Sequence, residues 1–173
     1  MYELIVQAVG VLGAAAMILS YQFKNNKILF LMQGIGGLLF AVHFLMGGNY
    51  TASFFNFINL IRGTVLAFGG KRCESWWLGG LFATSYAVVT VLTYGGVVSL
   101  LIMVAQIAST IALWSKRGTW IRLEQMAINT PAWLTNNIVF FSLGGIITES
   151  FCFVSAVVSL IRYRGKLEGG KTE

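Results

Sequence analysis

The sequence predicts an all-α membrane protein with seven transmembrane helices. They form two parallel three-helix repeats joined by a linker helix, with the N-terminus outside and the C-terminus cytoplasmic. Three observations lead there. Of 173 residues, 57% are hydrophobic and only 10% charged, against about 25% charged in a soluble domain, and several apolar runs approach the roughly 20 residues that cross a bilayer. Basic residues fall in alternate connections. The ending Asn59-Leu60-Ile61-Arg62 returns as Ser159-Leu160-Ile161-Arg162.

The first span covers about Leu4 to Ser20, where Gly10, Gly13, Ala14 and Ala15 allow a neighbouring helix close. A basic loop follows, with Lys24 and Lys27. The second span, about Ile28 to Met46, carries Gly34, Gly37 and Ala41 as a small-residue stripe, so Gly37 is expected at a tight helix contact. Gly47-Gly48-Asn49 is a tight reversal into the third span, about Tyr50 to Phe68. Lys71, Arg72 and Cys73 lie in the second basic loop, and the fourth span, about Trp76 to Tyr94, has few features. Gly95-Gly96 turns the chain into the fifth span, about Val97 to Trp114, whose polar positions are Gln106, Ser109 and Thr110. Lys116, Arg117 and Arg122 make the third basic loop. The sixth span, about Glu124 to Phe141, is the most polar and holds the only proline, Pro131. The seventh runs from about Ile147 to Ile161.

This alternation of charged and uncharged connections is what the positive-inside rule requires of seven spans, and it fixes the orientation stated above. Trp76, Trp77, Trp114 and Trp120 are expected as interface anchors on the inner side, Tyr50 and Tyr94 on the outer. The chain divides at 1–69 (first repeat), 70–96 (linker loop and fourth helix), 97–163 (second repeat) and 164–173 (cytoplasmic tail). The first span is too long, and its start too poor in basic residues, for a cleaved signal.

Function concentrates on polar residues in apolar spans. Ser53, Asn56 and Asn59 follow one another at three-residue steps, which keeps them on one helix face. Such a stripe either lines a solute path or hydrogen-bonds to another helix. Gln33, Asn136, Asn137, Ser155 and Ser159 extend the candidate substrate-binding set. His43, the single histidine, and Glu149 are a candidate proton or gating pair at the outer mouth. Arg62 is expected to snorkel to the interface. The net charge of +6 comes from loops and tail and makes no nucleic-acid patch. The two cysteines have no metal-ligand neighbours, and no phosphate loop or Ser–His–acid set occurs. Neither an enzyme nor a cofactor protein is expected.

The three-plus-one-plus-three plan resembles the SWEET sugar transporters and the wider PQ-loop superfamily, including the PnuC vitamin transporters. The local sequence is similar to the bacterial inner-membrane YgjV-like family through Leu19-Ser20-Tyr21-Gln22, Lys24, Lys27, Gln33, His43-Phe44 and the Asn/Arg end of the third span. The resemblance implies the bacterial inner membrane and alternating access. It also implies an asparagine on the third helix of a triplet as a substrate contact, matched by Asn56 or Asn59, with Ser155 or Ser159 in the second triplet. Tyr21 stands where the PQ-loop proline would fall, so the proline hinges of that superfamily do not carry over.

The sequence thus points to a transporter or facilitator of a small polar solute, sugar-, nucleoside- or vitamin-like. Its partners would be that solute, the lipid bilayer and, as a candidate, a second copy of itself. The alternative is a membrane assembly protein whose polar stripes are helix contacts.

Overall fold

A computed structural model describes the backbone at 1–20, 22, 26–70, 73 and 75–168; side chains at 26, 27, 29, 30, 118, 159, 160 and 162–168 lie outside the description. The basic pairs at 24 and 27 and at 71 and 72, the Tyr21 position, Ser159 and the tail therefore contribute nothing below.

The described residues are helical, without strands: α1 (Tyr2–Ser20), α2 (Asn26–Met46), α3 (Tyr50–Phe68), α4 (Trp76–Leu92), α5 (Val97–Trp114), α6 (Gly118–Glu124), a π-helical turn (Gln125–Asn129), α7 (Thr130–Val139) and α8 (Leu143–Glu168). From α6 to α7 the chain is one continuous helical rod, so seven helical segments result. By length and composition α1 and α5 are apolar enough to span a bilayer, with mean hydropathy 1.9 and 2.1. Leu31–Met46, Trp76–Leu92 and Leu143–Val158 are shorter apolar stretches.

Turn chemistry sets the segment ends. Gly48 takes φ +77° after α2, a left-handed conformation that glycine adopts without a Cβ penalty. Asn49 then caps α3, its side chain accepting from Ala52 N at 3.1 Å. Gly96, at φ +114°, precedes α5. The sixth segment begins at Gly118, earlier than its apolar run suggests, and takes Arg122 out of the loop and into helix. It ends at Val139, and α8 begins at Leu143 rather than near Ile147. Pro131 explains the π turn: it has no N–H to continue the α ladder, and Thr130 N reaches Gln125 O instead.

Hydrogen bonds fix how the segments run. Tyr2 Oη donates to Met46 O (2.8 Å), joining the start of α1 to the end of α2. Thr51 Oγ1 donates to Thr93 O (2.7 Å) and meets Ser99 Oγ (3.2 Å), joining the α3 start, the α4 end and the α5 start. The three uncharged turns therefore share one end of the bundle, called here the turn end. At the opposite, loop end, Trp114 Nε1 donates to Ser75 O (2.9 Å). Trp114 is only 4% exposed and packs on Phe82 at 5.8 Å. It is a core residue, which corrects its expected place as an interface anchor; Trp76, Trp77 and Trp120 are exposed.

In plan, six segments close a ring in the order α1, α2, α3, α5, α7, α8 and back to α1, while α4 packs outside against α3 and α5. Close backbone approach holds the ring. A Cβ on Gly36 would meet Met17 Cγ at 2.6 Å and Gly13 O at 3.1 Å, so this pair sets the α1–α2 contact. A Cβ on Gly144 would strike the backbone of Gly10, which sets α1 against α8. Gly37, expected at a tight contact, has nothing within 4 Å of its Cβ position. A single step along a helix turns the side-chain direction by about 100°, so Gly36 faces α1 and Gly37 does not.

Candidate functional site

The ring encloses a cavity of about 1070 Å³, at the upper end of small-molecule pockets. All six ring segments line it and α4 does not. It reaches Leu31, Phe68 and Ile121 toward the loop end and stops at Phe44, Trp133 and Gly145 toward the turn end.

One wall is built around a buried arginine. Arg62, 7% exposed, lines the cavity instead of snorkelling. Its Nη1 donates to Thr110 Oγ1 at 2.7 Å and to Gln106 O at 3.4 Å, both on α5. Its guanidinium lies 5.6 Å from the centre of the Tyr86 ring. Tyr86 Oη donates to Asn59 Oδ1 at 2.6 Å, so Asn59 holds the platform on which the arginine rests. Glu124, on α6, is within electrostatic reach of Arg62.

Unpaired acceptors stand on several sides of the cavity. Gln106 Oε1, Glu124 Oε1, Asn137 Oδ1 and Glu149 Oε2 are buried without a protein hydrogen-bond partner, and all four residues line the cavity. Buried polar atoms are ordinarily paired, so four unpaired oxygens around one cavity mark a place for donors. The π turn shapes one side: Gln125 and Asn129 project into the cavity from it. Gln125 Nε2 donates to Thr130 Oγ1 at 3.1 Å, and the Thr130 hydroxyl lies near the Glu149 carboxyl.

At the turn end the cavity is closed by a polar seam. His43, 3% exposed, uses both ring nitrogens: Nδ1 with Val6 O and Nε2 with Ser142 Oγ, each at 2.8 Å. A carbonyl only accepts, so Nδ1 carries a proton, while Nε2 and the Ser142 hydroxyl share the second hydrogen bond. Asn49 Nδ2 donates to Asn136 Oδ1 at 2.8 Å. Gln7 brackets the α7–α8 turn, with Nε2 donating to Phe141 O at 2.6 Å and Oε1 accepting from Leu143 N at 3.1 Å. The seam thus ties α1 and α2 to the end of α7 and the start of α8.

Of the residues singled out from sequence, Gln33, Asn56, Asn59, Asn137, Glu149 and Ser155 come together in the cavity wall. Ser53 does not: its hydroxyl donates to Ala41 O at 2.7 Å, a contact between α3 and α2. Asn136 belongs to the seam. The expected His43–Glu149 pair is not formed: His43 is bonded to Val6 and Ser142, while Glu149 faces the cavity. Ser159 has no described side chain. Tyr86, Thr110, Thr130 and Gln7 were missed. Thr110 and Thr130 stood out only as polar positions of their spans, and nothing linear links Thr110 to Arg62, 48 positions away.

A family model described as a bacterial inner membrane protein, Imp-YgjV, matches residues 4–166, and the chain belongs to that family. No curated protein and no solved structure matches.

Proposed function

We propose that this inner-membrane protein carries a small polar solute by alternating access. The observation that supports this most is a cavity walled by both halves of the chain, lined with unpaired polar oxygens and closed by a polar seam at its turn end. All seven segments would cross the bilayer as two parallel triplets, α1–α3 and α5 to α8, with α4 as linker, in the manner of SWEET and PQ-loop carriers. The turn end would face outward, and the cavity would then face the cytoplasm behind a closed outer seam. Four bonds of that seam join the two triplets, through Gln7 (two), His43 and Asn49. Their net worth is about 2–6 kcal/mol together, a gap that solute binding can overcome. The protein acts as a carrier, not an enzyme.

A binding screen of sugars, nucleosides and vitamins against purified protein tests the reading. Gly37 lines the cavity with open space at its Cβ position. Gly37→Leu should therefore fold as well as wild type, since helix propensity favours Leu by up to about 1 kcal/mol, and should bind no solute that wild type binds. Unaltered binding by that variant would remove the cavity from the account. Orientation has its own check: Cys73 should react with an impermeant thiol reagent only once the membrane is opened, and reaction in intact cells would reverse the topology.

A further inference from the structure

We infer that the solute carries a protonated amine, received by Glu149 with Asn137; this rests on the carrier reading above. Asn129, Trp133 and Asn137 follow at four-residue steps and make one stripe of the cavity wall. Gly145, Glu149 and Cys152 make the facing stripe on α8. The stripes touch where the Asn137 amide lies against Gly145, so close that a Cβ there would overlap it. Asn137 Oδ1, in a residue 2% exposed, has no protein partner, and neither does Glu149 Oε2.

The charges around the cavity are unevenly matched. Arg62 is anchored on α5 and set against Glu124. Arg122 lines the wall from α6, toward the loop end. Glu149 has instead a neutral hydroxyl nearby, that of Thr130. A carboxylate inside a membrane bundle is ordinarily matched by a cation. An ammonium group supplies the charge and up to three N–H donors for the unpaired oxygens. Trp133 and Phe44, with ring centres 6.1 Å apart, line the same cavity.

Cys152 lies three residues beyond Glu149 in the same wall and reports the local field. In a Cys73→Ser background it is the only thiol. Its modification rates by aminoethyl and by sulfonatoethyl methanethiosulfonate, in detergent, are each normalised to the rate with free cysteine. The cationic reagent should react about tenfold faster than the anionic one, the scale of one nearby charge at partial screening. The isosteric Glu149→Gln should abolish most of that preference. Equal rates, an anionic preference set by Arg62 and Arg122, or a preference that survives Glu149→Gln would each overturn the amine assignment and leave the carrier reading standing. Failure of both reagents to reach Cys152 would overturn both.

Discussion

Arg62→Met is expected to lower the melting temperature by several degrees, from the roughly 1.5–3 kcal/mol net worth of a hydrogen bond to a charged group. The substitution keeps most of the apolar volume, so packing is not the main loss. What goes is the donor to Thr110 Oγ1 and Gln106 O, the cation over the Tyr86 ring and the positive charge facing Glu124. Arg62→Lys should recover part of the loss, since it restores the charge without the planar fork. An unchanged melting temperature in Arg62→Met would return the side chain to the membrane interface.

Gly144→Ala is the second large effect. One methyl group would meet backbone, the carbonyl of Gly10, which cannot rotate away. Gly10 is itself held from the other side, because a Cβ on it would lie 2.9 Å from His43 Nδ1. The seam therefore has no slack in the direction of the added methyl. Overpacking of this kind costs about 1–3 kcal/mol, and here it must also part α1 from α8 and loosen the His43 bonds. A melting temperature several degrees below wild type is expected, with Gly80→Ala as the control. Gly80 has nothing within 4 Å of its Cβ position and should tolerate the change. Equal stability of the two variants would show that α1 and α8 do not meet as described.

Most helical segments were legible because their apolar runs are bounded by glycine turns or charged loops; the start of α8 was not, since Gly144 and Gly145 lie within the helix. The ring was not, since one sequence cannot say which faces meet. Gly36 and Gly37 illustrate the difficulty: Gly37 was read as small-residue packing and Gly36 was not singled out, yet Gly36 sets the α1 contact and Gly37 opens onto the cavity. The amide stripe of α3 was legible as a stripe but split in use. Asn56 and Asn59 reach the cavity, while Ser53 serves a helix contact of the kind an assembly protein would also have. Arg62 was misread because snorkelling is the default for a long cation near a helix end. The partners that hold it inside lie on α4 and α5, beyond any local pattern. Pro131 did carry a readable signal, a missing N–H inside a polar span, and the π turn before it places Gln125 and Asn129 in the wall.

Solute flux in proteoliposomes bears most directly on the carrier reading. Wild-type protein, loaded with a solute identified by binding, should show saturable exchange across the vesicle wall. Gly37→Leu, equally stable and equally well inserted, should show none above protein-free vesicles. Binding by the wild type with no exchange, or exchange undiminished in Gly37→Leu, would contradict it.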